Sequence, residues 1–148
     1  GATPPAERRA ESVVVVDPFS SGALLAQRAV AEGYHCIRVF SELDSPVAKL
    51  VQEGMSLDFD ATFQFDDRAP DPGPAIADLL GRLSALPWPV AAVLAGAETG
   101  VALADILSNR IGGGVVTNGE VLSAARRNKY VMGETVRAAD VRAVQQRL

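Results

Sequence analysis

Three short stretches carry side chains whose type and spacing could do chemistry. The first is DPFSSG, residues 17–22, which follows four consecutive valines. Its Ser20, Ser21 and Gly22 open a run with helical spacing. N–H groups at a helix start, reinforced by the helix dipole, favour an anion such as a carboxylate or phosphate. The same serines also fit plain capping of that helix, and the two roles can coexist. The spacing is not GxGxxG, so the dinucleotide fingerprint is absent.

The second stretch is GAETGVALAD, residues 96–105, which places Glu98 in the first turn of a helix after an apolar strand. A carboxylate there is stabilised by the dipole alone. If it points into a cleft, it can instead bind an ammonium or hydroxyl group. Asp105, two turns on, is expected to contact a neighbouring element or solvent. The third stretch, ARRNKYVMGE, gathers Arg126, Arg127 and Lys129. Such a cluster is either a solvated helix face or a phosphate site, and it stands out in a chain of net charge −4.

The elements that must position these groups alternate in type. SVVVV, HCIRVF, DFDATFQFD and PWPVAAVLAG read as strands, the third as an edge strand from its alternation of Phe59, Ala61, Phe63 and Phe65. GALLAQRAVAEGY, PVAKLVQEG, AIADLLGRLSAL and ETGVALADILSNRIG read as helices. The first would place Leu24, Leu25, Ala29 and Val30 on one side and close at Gly33. In ETGVALADILSNRIG, Val101, Ala104, Ile106 and Leu107 fall near one face. GGVVT is expected to be a short fifth strand, NGEVLSAARRNKYVMGETVRAAD one or two helices, and VRAVQQRL a final strand. Strand–helix alternation predicts an α/β, Rossmann-like three-layer domain with a mostly parallel sheet. In such sheets ligands bind outside the carboxyl ends of the strands, where the loops at 17–22 and 96–100 lie.

Composition bounds the function. The 148 residues are 48% hydrophobic and 22% charged, which suits one globular domain. With aromatics at 5%, the core must be aliphatic. An acidic chain lacks the basic face that a nucleic-acid backbone demands. No run approaches the roughly 20 apolar residues of a membrane span. Residues 1–11 are polar and unlike a secretory signal, which predicts a flexible arm or an expression remnant and a cytoplasmic protein. The single cysteine, Cys36, allows no internal disulfide. Beside His35 it is too little for a metal site, and it is expected to face a core.

VVVVDPFSSGALLAQRAVAEGY, LAGAETGVALADILSNRIG and SAARRNKYVMGETVRAADVRAVQQ, taken in order, resemble the N-terminal region of ATP-grasp carboxylate–amine ligases of the L-amino-acid ligase and dipeptide synthetase type. The resemblance implies a pre-ATP-grasp domain over residues 12–140, with residues 141–148 beginning an ATP-grasp subdomain. It implies an enzyme that uses ATP and Mg2+ to turn a carboxylate into an acyl phosphate. An amine then attacks, giving an amide, ADP and phosphate. It also implies amino-acid substrates, partner ATP-grasp subdomains and a homodimer. Lys129 would approach the nucleotide. Glu98 and the loop Ser20, Ser21 and Gly22 would line the cleft. The magnesium ligands would lie in the remaining subdomains, so this stretch alone would be inactive. One departure is Asp140, where a glycine is usual in that family, and an aspartate would strain the turn. Two other readings stand beside this one. The chain could be a stand-alone Rossmann-like module for ligand binding or dimerisation, or a receiver-like domain with Asp17 as phosphoacceptor and Asp66 and Asp67 close by.

Overall fold

A computed structural model of the chain describes residues 7–44, 46 and 57–146. Four parallel strands, β1 (Ser12–Val16), β2 (His35–Phe40), β3 (Ala61–Gln64) and β4 (Val90–Ala95), form one sheet in the order β3-β2-β1-β4. Helices among the described residues include α1 (Ser21–Ala31), α2 (Pro72–Ser84), α3 (Val101–Arg110), α4 (Ser123–Arg127) and α5 (Lys129–Ala138), with a 3-10 turn at Glu98–Gly100. The helix expected over PVAKLVQEG lies outside the described residues, Pro46 apart.

The valine run explains the layering. Side chains alternate faces along a strand, so Val13 and Val15 face one way and Val14 and Val16 the other. Val13 and Val15 join Cys36 against Ala26 and Ala29 of α1. Val14, Val16, Ile37 and Val39 meet Leu79 and Leu83 of α2 and Leu103, Ala104 and Leu107 of α3. All five residues of β1 are buried, as a parallel strand covered on both faces must be. β2 is likewise central, while β3 is an edge strand whose Ala61 and Phe63 face α2 and α3. Phe59 precedes the strand and packs on the α1 side instead.

Several expectations need correction. α1 buries Gly22, Ala26 and Ala29, whereas Leu24 and Leu25 are 66% and 44% exposed. Small residues let the helix lie close on the sheet, which turns the leucines outward. In α3 the buried set is Leu103, Ala104, Asp105, Leu107 and Ser108, not Val101 and Ile106. β4, an apolar run in sequence, is half-exposed and ends in exposed Leu94 and Ala95. It has β1 on one side and no paired strand on the other among the described residues. The GGVVT segment, residues 113–117, is a glycine turn and coil rather than a fifth strand, with Gly112, Gly113 and Gly114 all at positive φ. Residues 141–146 are not a strand either. They fold back on α5, where Arg137 Nη2 donates to the Val144 carbonyl at 3.1 Å. A lone extended segment without a neighbouring strand has no ladder to complete.

Two helix ends follow the sequence closely. After α1, Gly33 at φ 86 lets its N–H reach Val30 O at 2.9 Å and the Tyr34 N–H reach Ala29 O at 3.1 Å, a Schellman closure. After α5 the same pattern forms around Asp140 at φ 57, with Asp140 N–H on Arg137 O at 3.0 Å and Val141 N–H on Val136 O at 3.2 Å. Asp140 thus holds the left-handed conformation that glycine adopts without cost.

The amino end of the sheet is tied by Asp60. Its carboxylate accepts from the Cys36 N–H at 2.9 Å, lies 3.0 Å from His35 Nδ1 and accepts from Arg8 Nη1 at 3.0 and 3.1 Å. His35 stacks on Trp88 with ring centroids 4.0 Å apart. Arg9 donates to the Glu32 carbonyl at 2.9 Å and lies over the Tyr34 ring, so residues 8 and 9 are docked on the domain. Burial pushes the Asp60 carboxyl upward, but hydrogen bonds from His35, Cys36 and Arg8 outweigh it and leave the group below the ordinary carboxylate value. A carboxylate lowered in the fold adds stability above its unfolded value and loses it as pH falls through the folded one. Asp60→Asn should therefore cost about 1–2 kcal/mol at neutral pH. The deficit should narrow as pH falls below the unfolded carboxylate value of about 4. Urea melts of both proteins at several pH values check this, and a pH-independent difference would contradict it.

Candidate functional site

The carboxyl ends of β1, β2 and β4 converge on Asp17. Its carboxylate is only 2% exposed and accepts from the Ser41 N–H at 2.8 Å, the Ser41 hydroxyl at 2.6 Å and the Thr99 hydroxyl. Ser41 is the first residue after β2, and Thr99 sits in the turn after β4. One buried carboxylate thus joins three strand ends. Each donor offsets the penalty of burying the charge. The Asp17 backbone is at φ 52 and Ser20 at φ 48, left-handed conformations that cost such residues about 1–2 kcal/mol. Asp17 is a clip between loops, and its burial and its three donors leave no accessible phosphoacceptor oxygen as the receiver reading requires.

Glycine contacts lock the same loops. A Cβ on Gly22 would fall 2.5 Å from Gly96 Cα and Gly96 O, and one on Gly96 would fall 2.5 Å from Asp17 O. A Cβ on Gly100 would meet Val16 O at 2.8 Å. The start of α1 therefore sits directly on the backbone of the loop after β4. Gly22 is buried in that contact, while Ser20 and Ser21 are exposed beside it. Ser20 makes no side-chain capping bond, so the expected serine cap of α1 is not formed by that residue.

Glu98 is exposed and opens the 3-10 turn that leads into α3. It lines a groove of about 650 Å³ with Ala102, Glu120, Ser123, Arg127 and Asn128. The loop between α3 and α4 is held there by ion pairs. Arg110 clasps Glu120 with Nε at 2.7 Å and Nη2 at 2.8 Å, and these hydrogen bonds hold the Glu120 carboxyl below its ordinary value. Arg126 reaches buried Asp105 at 2.6 Å and the Gly119 carbonyl at 2.7 Å. Asp105 therefore contacts a neighbouring element. Arg126 is spent on that pair and is no open phosphate ligand. Arg127 faces the groove. The Ser123 hydroxyl, also on its wall, is buried without a hydrogen-bond partner. Asn128 caps α5, its Oδ1 accepting from the Tyr130 and Val131 N–H groups at 3.0 and 3.2 Å. Lys129 is the exposed first residue of α5 and is not among the groove-lining residues.

The structure thus brings the loop at 20–22 onto the loop that carries Glu98, through Gly22 and Gly96. It places Arg127 and Asn128, rather than Lys129, beside Glu98. Sequence reasoning missed Ser41, Thr99 and Ser123. The signal for Ser41 was its place directly after a buried strand, level with Asp17. Among the described residues no group of three or more His, Cys, Asp or Glu gathers as a metal site, and no helix is long and apolar enough to cross a membrane. Burial and the nearby Asp60 charge push the Cys36 thiol up to about 12, which agrees with a packing role.

The chain is 33% identical over 138 residues to dapdiamide A synthase of Enterobacter agglomerans. That likeness supports a relation to a ligase. It covers 93% of this chain but only 30% of that relative. No family model and no solved structure matches the chain.

The glycine contacts yield a direct test. Gly96→Ala places a methyl inside the Asp17 backbone and should cost about 3 kcal/mol, the upper range for overpacking. Gly81→Ala, where nothing lies within 4 Å, should be neutral or slightly stabilising because alanine favours a helix. Chemical denaturation of both variants reads the contrast, and equal effects would contradict the close approach.

Proposed function

We propose that this chain is the N-terminal α/β part of an ATP-dependent ligase that joins a carboxylate to an amine through an acyl phosphate, releasing ADP and phosphate. The observation that carries the reading is the likeness to dapdiamide A synthase across 93% of the chain. The similarity to ATP-grasp ligases in the three quoted stretches supports it. Amino acids are the proposed substrates, and the further ATP-grasp subdomains the proposed partners.

Exposed Arg127, on the groove wall at the end of α4, and exposed Lys129, which opens α5 two residues on, suit a polyphosphate. Lys129 is the proposed nucleotide contact. Glu98, with Ser20, Ser21 and Gly22 on the adjoining loop, is proposed to line the substrate cleft. The donor set for Mg2+ is not gathered among the described residues, and the metal ligands are proposed to lie in the further subdomains. Bound ATP would supply the phosphoryl group that activates the carboxylate. The residues here would orient the reactants and neutralise charge. A second reading, a dimerising or ligand-binding module without catalysis, draws support from Val116 and Val121, which are 90% and 93% exposed.

The test compares the 148-residue chain with a version extended to the length of the relative. Amine-dependent ADP release is expected from the extended chain and none from the shorter one. Lys129→Ala in the extended chain should weaken nucleotide binding at least tenfold by calorimetry. Amine-dependent ADP release by the 148-residue chain, or unchanged nucleotide affinity in the variant, would overturn the assignment.

A further inference from the structure

A second cleft, of about 280 Å³, opens at the carboxyl end of the sheet between α2 and α3. Its polar lining is Ser41, Glu42, Asp67 and Thr99, and its apolar wall includes Ile76, Leu103 and Ile106. Ala102 lines both this cleft and the groove of Glu98, so the two adjoin at the start of α3.

The hydrogen-bond directions decide what this cleft can hold. The Ser41 and Thr99 hydroxyls both give their protons to Asp17. Towards any ligand each therefore offers lone pairs only. Asp67 Oδ1 accepts from the Leu43 N–H at 2.9 Å, and a carboxylate has acceptor capacity to spare. Glu42, exposed on the rim, adds a second carboxylate. Among the described residues no lining side chain carries an N–H donor or a positive charge, and Arg68, next to Asp67 in sequence, is paired with Asp44 at 2.9 Å. From the described side chains an anion would meet like charge and lone pairs. A bare metal ion prefers a shell of oxygen donors, which the aliphatic wall does not provide.

We infer that this cleft binds an organic cation, a primary ammonium carrying a short aliphatic or aromatic tail. The ammonium donates its three protons to the acceptor rim. The tail covers Ile76, Leu103 and Ile106. The site is distinct from the groove assigned to the ligase reading and does not depend on it.

The test is an NMR titration of the 15N-labelled 148-residue chain with benzylammonium, benzyl alcohol and benzoate. Benzylammonium should shift the amides of Ser41, Phe65, Thr99 and Leu103 saturably. Benzyl alcohol should bind at least tenfold more weakly, and benzoate should leave those amides unmoved. Glu42→Gln, a surface change that leaves the fold intact, should weaken benzylammonium at least threefold. Absence of saturable shifts, equal binding of the alcohol, the same shifts with benzoate, or no effect of Glu42→Gln would each overturn the inference.

Discussion

The arrangement at the carboxyl end depends on one buried carboxylate. Asp17 sits where β1 ends, and three donors from the ends of β2 and β4 converge on it. An ionised group at 2% exposure is tolerated only when it is so paired. The pairing fixes Ser41 and Thr99, and with them part of the wall of the smaller cleft. It also holds the left-handed backbone of Asp17, a strain that persists only where the surroundings over-determine it. The glycine contacts work with it, since a Cβ on Gly22 would strike the Gly96 backbone and one on Gly96 would strike the backbone of Asp17. At the other end of the sheet, Asp60 does the corresponding work for β2 and β3 through Cys36, His35 and Arg8.

The region after α3 is built differently. Neither α4 nor α5 has a buried residue, so little apolar burial stabilises it. Polar pins hold it instead. Arg126 grips Asp105 and Gly119 O, Arg110 grips Glu120, and the Ser108 and Thr117 hydroxyls meet at 3.1 Å. The pair at Asp105 is the strongest of these, because Asp105 is buried and a buried charge without its partner is costly. Regions held this way open at lower free energy than a packed core. The groove beside Glu98 is therefore formed between a rigid wall, α3, and a more pliable one, α4.

The sequence made the layered sheet legible because four valines in a row, bounded by Asp-Pro, suit little else than a doubly covered strand. Gly33 was legible as a helix end, since the positive φ there follows from the helix stop itself, whereas Asp140 stood out only against the glycine usual in the resembling family. Burial within helices was less so. Periodicity put Leu24 and Leu25 inward, but close helix–sheet contact selected Gly22, Ala26 and Ala29. Strands without a partner were misread as well. The paired valines in residues 113–117 and the alternation in 141–146 satisfy a local strand pattern, but a strand exists only when a neighbour takes its hydrogen bonds. The site was legible only in part. Glu98 and the loop at 20–22 stand out by position, whereas Ser41 and Thr99 matter through a partner 24 and 82 residues away, a pairing that no local motif encodes.

The measurement that bears most directly on this account is amide hydrogen exchange of Asp17→Ala against the parent chain. Removing the carboxylate frees three donors at once. Exchange at Ser41 and through residues 97–102 should accelerate at least tenfold, the equivalent of about 1.4 kcal/mol. The amides of His35 and Cys36, tied at the opposite end by Asp60, should keep their protection. Unchanged exchange at Ser41 and around Thr99 would show that Asp17 does not hold the strand ends together, and the account of the carboxyl end of the sheet would fall with it.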